Sequence, residues 1–321
     1  MFRHNVVVPW TTPAADGTFD TLLPIAPLSH LLLTVACLNN GANTKATLAQ
    51  ILGAVEEVSI IHKGASVLSM NGADLHALVS FLYKSQAWMG NIINTDDATR
   101  FITIPIPFGR TPYNVNECFP ATSKGDLIFR IKVDIADTGY DGLIYHLESV
   151  ELPDATPKAY LKATYKTDTP SATGWDDYPL PKGNPYVGIL LWGTTVPSGT
   201  AWTTTIDQVK LLADNAEVFY QHTYWEALHG NCMLWMPPPA AFAEKIHREN
   251  TATAYAQNAD TAAEEVVALD LEKYSYMDFS PDGSDTHLFP SGDYGDVKLQ
   301  IYAGDTNAFR FIPVELVAAA A

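Results

Sequence analysis

The stretch FPATSKGDLIFRIKV at residues 119–133 returns as FPSGDYGDVKLQIYA at residues 289–303. Both copies begin with Phe-Pro, carry Gly-Asp six residues later and align without a gap. After the Gly-Asp turn, apolar and polar residues alternate in the same phase, which is the period-two pattern of a strand with one buried face. Each half of the chain is therefore predicted to contain the same strand, entered through the same turn.

Further matches follow the same order in both halves. They are an apolar pattern at residues 58–67 and 209–218, Ala-Leu at residues 77–78 and 227–228, and Val-Glu-Leu at residues 150–152 and 314–316. Collinear matches indicate an internal repeat, so we infer a duplication; the alternative is two unrelated β-domains with similar turns. Short strands and hairpin turns predict an all-β fold of two tandem eight-stranded jelly rolls, with short helices in long loops.

A proline-rich stretch lies near the middle of the chain. Residues 167–185 read TDTPSATGWDDYPLPKGNP, with four prolines and two glycines. Because proline fixes φ and lacks an N–H, we expect a stiff linker without regular structure. The predicted domains are an N-terminal jelly roll at residues 1–167, a linker at residues 168–185 and a C-terminal jelly roll at residues 186–321.

Helical patterns are sparse. Residues 75–82 place apolar side chains at i, i+3, i+4 and i+7, which predicts a short amphipathic helix beginning near Asn71. A second helix is predicted after the three prolines at residues 237–239. A third is predicted to open at Thr261, where Thr-x-x-Glu has the form of a capping box.

The composition limits the partners and the compartment. The 321 residues include 36 acidic and 19 basic side chains, a net charge of −17, which disfavours a nucleic-acid partner because phosphate binding rests on clustered Lys and Arg. The three cysteines are odd in number and far apart, so no disulfide framework is indicated. No secretory leader is recognisable, and no apolar run reaches the ~20 residues of a spanning helix. We expect a soluble protein synthesised in the cytoplasm.

Motifs for nucleotide binding, zinc proteases and serine hydrolases are absent from the sequence. The strongest metal-like cluster is His222, Glu226 and His229, but the aromatic residues around it suggest a strand leaving the core and favour ordinary histidines. The carboxylate pairs at residues 96–97, 176–177 and 264–265 favour solvated turns or opposite strand faces over acid–base catalysis. We therefore predict no catalytic, cofactor-binding or metal-binding residues.

Aromatic residues are frequent in the second half. Trp192, Trp202, Trp225 and Trp235 could line a sugar-binding face, but a β-sandwich core or a subunit interface is favoured. The N-terminal arm, residues 1–10, mixes Arg3 and His4 with apolar residues. A frayed end is the favoured interpretation of this arm; docking under a neighbouring subunit or on an anionic lipid surface is the alternative.

Residues 101–108, FITIPIPF, have the strand pattern apolar-Pro-apolar-Pro-Phe, followed by CFP at residues 118–120 and the alternating strand at residues 125–133. This order resembles the major capsid proteins of the double jelly-roll lineage, found in adenovirus, tailless membrane-containing phages and large DNA viruses. In the second half, residues 266–279 lack the prolines, whereas the later Phe-Pro and strand are kept. The compact length is similar to that of the smaller capsid proteins of lipid-containing phages, such as the membrane-containing phage of Flavobacterium.

The resemblance implies a structural capsid protein, not an enzyme. It implies a homotrimer of pseudo-hexagonal outline that tiles an icosahedral virion, with penton or minor capsid proteins as further partners. An internal lipid membrane, contacted through the N-terminal arm, removes the need for direct nucleic-acid contact. Residues 186–202 and 237–260 are predicted to form interfaces or outer towers.

Two other classes stay open. A two-jelly-roll enzyme, such as a peptide N-glycanase-like amidase or a copper monooxygenase, requires converging carboxylates or histidines. A secreted carbohydrate-binding protein is disfavoured because neither a signal peptide nor an Asn-x-Ser/Thr acceptor occurs.

Overall fold

A computed structural model describes residues 1–40, 46–85, 87–90, 97–197, 201–236 and 271–319. Among these residues the chain divides into two compact units. Unit 1 comprises residues 1–160, and unit 2 comprises residues 161–236 and 271–319. The predicted domain limits, 1–167 and 186–321, stay a prediction.

Unit 1 is built from two antiparallel sheets. Its elements are β1 (Arg3–Thr11), β2 (Gly17–Leu22), β3 (Leu28–Asn39), α1 (Leu48–Gly53), β4 (Val55–His62), β5 (Ala65–Met70), α2 (Gly72–Tyr83), β6 (Trp88–Gly90), β7 (Thr99–Pro107), β8 (Leu127–Val133) and β9 (Tyr140–Glu151). One sheet has the order β1-β9-β3-β7-β6, and the strands of the other follow the order β5-β4-β8-β2.

Unit 2 follows β10 (Ala159–Thr164), which lies at the boundary. Its elements are β11 (Lys166–Asp168), β12 (Gly174–Pro179), β13 (Tyr186–Gly193), β14 (Ile206–Ala213), β15 (Ala216–Glu217), β16 (Thr223–Tyr224), α3 (Trp225–Leu234), β17 (Tyr274–Asp278), β18 (Val297–Ala303) and β19 (Phe309–Ala318), with single 3-10 turns at Leu271–Lys273 and Ser291–Asp293. One sheet has the order β17-β13-β19, with β11 also on β19. The other has the order β12-β18-β14-β15, with β16 also on β14.

The two units repeat one topology over eight strands each, while β6 and β16 have no counterpart among the described residues. β1 pairs with β9 as β11 pairs with β19, and β2 pairs with β8 as β12 pairs with β18. The central strands β3 and β13 each lie between the last strand of their unit and β7 or β17. The duplication predicted from the sequence is therefore present in the order of strands within each sheet.

The repeated Phe-Pro motif has the same backbone role in both units. The N–H of Phe119 donates to the carbonyl of Leu28 at 2.8 Å, and the N–H of Leu28 donates back at 3.0 Å. Phe289 and Tyr186 exchange the same two bonds, at 3.2 and 2.9 Å. Both phenyl rings are fully buried. Each motif thus fixes the first residue of a central strand, and the following proline, which cannot donate, limits further pairing.

The Val-Glu-Leu ends repeat a second contact. The N–H of Leu152 donates to the carbonyl of Pro27, and that of Leu316 donates to the carbonyl of Pro185, both at 2.8 Å. These bonds attach the last strand of each unit to the residue just before its central strand.

Unit 2 encloses a hydrophobic core supplied by both of its sheets. Core residues include Ile189 and Leu191 from β13, Val209 and Leu211 from β14, Met277 from β17, Leu299 and Ile301 from β18, and Phe309 and Phe311 from β19. The alternating burial of β8 and β18 confirms the predicted half-buried strands. Burying these apolar faces is the main favourable term in folding.

The first predicted helix is confirmed. α2 begins after Asn71, whose side chain accepts a hydrogen bond from the N–H of Asp74 at 2.7 Å, as expected of an N-cap. The short helix α1 has no counterpart in the sequence predictions. The helices predicted after residues 237–239 and at Thr261 lie outside the described residues. Within the described part of the chain, no helix is long and apolar enough to cross a bilayer.

The expectation of an irregular linker is wrong for part of residues 168–185. β12 occupies Gly174–Pro179 and pairs with β18 over six residues. The prolines do not prevent this, because Pro170, Pro181 and Pro185 lie outside the strand and Pro179 is its last residue. This segment is the counterpart of the β1–β2 region of unit 1.

The assignment of residues 186–202 to a tower or an interface is also wrong for the first eight of them. β13 is the central strand of its sheet, and seven of its eight residues are buried. β13 is buried on both faces of its sheet. Its sequence is therefore almost continuously apolar, with no alternation of polar residues.

Candidate assembly surface

The N-terminal arm is an edge strand. β1 pairs with β9 from Arg3 opposite Glu151 to Thr11 opposite Tyr145, with register irregularities on either side of Val8. The favoured expectation of a frayed end is therefore wrong. An edge strand presents backbone donors and acceptors on one side, and irregularities of this kind limit uncontrolled pairing there.

Side-chain contacts hold β1 on β9. Asn5 Nδ2 donates to Glu151 Oε1 at 2.6 Å, and Glu151 itself is only 5% exposed. His4 Nε2 lies 2.6 Å from Glu148 Oε2. The N-terminal ammonium lies 3.1 Å from Asp154, but both groups are largely exposed and contribute little.

Large exposed apolar side chains recur along the N-terminal arm. Phe2, Val6 and Trp10 are 58%, 62% and 55% exposed, respectively. The Phe2 ring contacts Tyr113, itself 48% exposed, at 5.5 Å. We call Phe2, Arg3, Val6, Trp10 and Tyr113 the N-terminal surface. Large exposed apolar patches mark contact sites, which makes this surface the candidate for an assembly contact.

A neutral histidine lies beside this surface. His30 on β3 is buried, its Nδ1 lies 2.9 Å from Ser29 Oγ, and its ring contacts Tyr113 at 5.3 Å. Burial, with a smaller effect from His4, lowers the pKa of His30 to about 4. At neutral pH the imidazole is uncharged, so it adds no positive charge beside Arg3.

The metal-like cluster is not assembled as the sequence suggested. Glu226 and His229 lie one turn apart on helix α3, not on a strand, and line an open cavity of about 280 Å³ together with Glu272. His222 lies before the helix and bonds to Gln208, whereas His229 Nδ1 lies 2.7 Å from the carbonyl of Tyr274. Across the described residues, no three His, Cys, Asp or Glu side chains form a group that could hold a metal ion.

The carboxylate pairs show no converging geometry. On β12, Asp177 accepts from Gln300 Nε2 at 2.8 Å and lies 3.7 Å from Lys298 Nζ, while Asp176 is exposed. Asp97 is exposed, and its neighbour Asp96 lies outside the described residues, as do residues 264–265. The alternative of a two-jelly-roll enzyme gains no support from these pairs.

The four tryptophans singled out in the sequence have different environments. Trp225 belongs to the core of unit 2, and Trp192 is covered by the Arg310 guanidinium, 3.6 Å from its ring centroid. Trp202 and Trp235 are 78% and 57% exposed. Core packing is therefore found for Trp225, while an interface role for the exposed pair stays a prediction.

No protein-family model and no curated protein matches the sequence. Solved structures match along the whole chain. The major capsid protein P2 of bacteriophage PM2 is similar with a TM-score of 0.62 at 10% identity, over 100% of this chain and 98% of that one. The chain has the double jelly-roll fold.

Two further structures support this fold assignment. The major capsid protein of Sulfolobus turreted icosahedral virus is similar with a TM-score of 0.67 at 13% identity, over 99% of this chain and 97% of that one. The PBCV-1 capsid structure gives a TM-score of 0.59 at 8% identity, over 100% and 97%. The double jelly roll predicted from the sequence is confirmed, and at these identities the likeness establishes the fold alone.

Proposed function

We propose that this protein is the structural major capsid protein of an icosahedral virion, assembled as a homotrimer of pseudo-hexagonal outline. One observation supports this most directly: the duplicated fold matches capsid proteins along nearly the full length of both chains. Because each chain carries two copies of one fold, a trimer has six similar units. Such a ring can tile a hexagonal lattice through repeated contacts.

The N-terminal surface is proposed to contact an internal lipid membrane. Phe2, Val6 and Trp10 supply apolar area, and Arg3 can pair with anionic headgroups. The other proposed partners are further copies of the chain and penton or minor capsid proteins. The proposed location is the virion, after synthesis in the host cytoplasm. The charge of −17 supports an arrangement without direct nucleic-acid contact.

The mass of the purified protein tests the capsid proposal. Light scattering on a size-exclusion column is expected to give three times 35.0 kDa, or larger shells visible by electron microscopy. A protein that stays monomeric at every concentration tested, including that of concentrated stocks, would contradict the proposal.

Vesicle sedimentation tests the membrane contact separately. Vesicles containing phosphatidylglycerol should carry the protein down, and Trp10→Glu should reduce the bound fraction several-fold. Trp202→Glu is the matched control, because Trp202 is also exposed but lies in unit 2. Equal binding by both variants would place the lipid contact elsewhere.

A further inference from the structure

The outward face of one sheet of unit 2 carries a row of four side chains, three of them aromatic. Trp175 on β12 lies opposite Tyr302 on β18, Tyr302 lies opposite Gln208 on β14, and Gln208 lies opposite Tyr224 on β16. Each of the four is partly or fully exposed. Because neighbouring strands lie about 4.8 Å apart, the row is about 14 Å long. We call these four residues the aromatic row.

Contacts within the sheet hold the rings of this row in place. The Trp175 ring meets Tyr302 at 5.4 Å and 78°, and it meets His222 at 5.7 Å and 73°. His222 also bonds to Gln208 and stacks on Tyr224 at 5.7 Å. Lys210 Nζ lies 4.6 Å from the centroid of Trp175. These contacts limit the rotamers of the rings, so little conformational entropy is lost when a ligand packs on them.

A polar row runs beside the aromatic one, two residues away on each of β12, β18 and β14. Asp177 lies opposite Gln300, and Gln300 lies opposite Lys210. Gln300 Nε2 donates to Asp177 at 2.8 Å, and Lys210 Nζ lies 2.8 Å from Glu217. The row therefore offers an amide, a carboxylate and an ammonium group. The positive charge of Lys210 is matched by the carboxylate of Glu217.

The equivalent face of unit 1 shows that the fold does not require this row. Aligned through the Phe-Pro motif, the positions of Trp175 and Tyr302 are Thr18 and Lys132, which also lie opposite each other. Lys132 forms an ion pair with Glu56. Charged pairs cover the face in unit 1, and aromatic rings replace them only in unit 2.

We propose that the aromatic row and the polar row together bind a neutral oligosaccharide. Sugar rings combine apolar C–H faces, which pack on aromatic rings, with hydroxyls that exchange hydrogen bonds with amides and carboxylates. An anionic chain is disfavoured because Lys298 and Lys210 on this face already pair with Asp177 and Glu217. Interfaces are enriched in Trp and Tyr but depleted of Lys, Glu and Asp at their centres, so the charged polar row disfavours a subunit contact, and the oligomeric state of the variants tests that occupant. This binding is separate from the capsid role and does not depend on it.

Titration of the full-length protein with neutral hexasaccharides tests the proposal. The probes are cellohexaose, maltohexaose and laminarihexaose, followed by tryptophan fluorescence and saturation-transfer NMR. At least one is expected to bind with a dissociation constant below 10 mM. Trp175→Ala and Tyr302→Ala are each expected to weaken it tenfold or more. Lys132→Ala, at the equivalent position of unit 1, should leave binding unchanged.

Three results would overturn the proposal. The first is no binding by any of the three hexasaccharides; the second is binding that survives both aromatic substitutions. The third is an oligomer that dissociates on Trp175→Ala while the unsubstituted protein binds no sugar, which would make the face a contact between copies. Gln300→Ala, a change on the sheet surface, provides a variant that keeps every ring and is expected to weaken binding about threefold. Failure of the trimer test above would leave these outcomes unaffected.

Discussion

Units 1 and 2 keep the same buried hydrogen bonds and differ in what they present outward. Phe119 and Phe289 each exchange two backbone bonds with the first residue of a central strand. By contrast, the edge strand of unit 1, β1, spans nine residues, whereas its counterpart β11 spans three. Backbone pairing in the interior limits change in both copies, because an unpaired buried group is costly. The surfaces are free of that limit and carry different side chains in the two units.

The largest expected effect comes from removing the shared aromatic anchor. Phe119→Ala and Phe289→Ala should each lower the free energy of unfolding by about 3–5 kcal/mol, as large-to-small substitutions in a core do. Phe289→Ala should lower the free energy of unfolding more than Phe119→Ala, because more aromatic rings pack on Phe289. Its ring neighbours are Tyr186, Phe219, Phe279 and Tyr294, against His62, Phe108 and Tyr160 for Phe119.

Guanidinium-induced unfolding, monitored by amide hydrogen exchange in each unit, measures the difference in unfolding free energy between Phe119→Ala and Phe289→Ala. Phe2→Ala is the control, since its 58% exposed ring should cost less than about 0.5 kcal/mol. A smaller loss of unfolding free energy for Phe289→Ala than for Phe119→Ala would contradict this prediction.

The next largest effect is expected from acid, which should lower the stability of unit 1 more than that of unit 2. Burial lowers the pKa of His30 and of His76, both in unit 1, to about 4. The unfolded chain takes up these protons near pH 6.5, so the stability of unit 1 falls as the pH drops from about 6.5 to 4 and then levels off. The loss is at most about 3 kcal/mol for each histidine.

Protection factors at pH 7.5 and pH 5, corrected for intrinsic exchange, report this effect. Protection of β3 and α2 should fall more than that of β13 and α3. His76→Gln should reduce the difference, because the buried imidazole is then absent. An equal fall in protection in the two units between pH 7.5 and pH 5 would contradict the assignment of the acid effect to the buried histidines of unit 1.

Two buried carboxylates at matching positions should respond unequally to loss of their amide partner. Asn5 donates to Glu151 at 2.6 Å, and Asn184 donates to Glu315 at 2.8 Å. Glu315 keeps Lys162 at 3.3 Å, whereas Glu151 keeps only a longer bond from Ser149. Asn5→Ala should therefore cost about 1–3 kcal/mol and Asn184→Ala about 1 kcal/mol. Thermal unfolding of the two variants measures the order, and the reverse order would contradict this account.

The Gly-Asp turns should give the smallest difference. Gly125 has a φ of +91°, where an added Cβ is strained, so Gly125→Ala should cost about 1 kcal/mol or more. Gly295 lies outside this region, and a Cβ there would meet the Asp214 carboxylate, with Oδ1 at 3.1 Å. Gly295→Ala should change the free energy of unfolding by less than about 0.5 kcal/mol, because the lower backbone entropy of the unfolded chain offsets this tight contact. Similar losses in a denaturant titration would show that the two turns are equivalent.

The duplication and the fold class were predictable because they depend on positions that must be buried. The alternation in β8 and β18 is a direct consequence of one-sided burial, and the spacing in α2 follows from its packed face. The Phe-Pro motif is recognisable because its ring and its backbone bonds leave little choice of residue.

Features set by long-range pairing were not predictable. The surrounding prolines predict a linker where the structure has β12. The sequence alone does not show that β18 pairs with this segment. The pairing of β1 with β9 joins residues about 140 positions apart and has no local signal. The aromatic row likewise depends on the register of four strands, and Trp175 lies within the predicted linker.

The burial of the cysteines has a practical consequence for mapping these surfaces. Burial raises the pKa of Cys37 to about 12 and that of Cys118 to about 11, and Cys232 is packed against the backbone of Tyr276. Because the thiolate is the reactive form, maleimides should leave the folded native chain unmodified, as an intact-mass measurement can verify. A cysteine introduced at Val6 or at Tyr224 would then be the single attachment point for a fluorophore or a crosslinker.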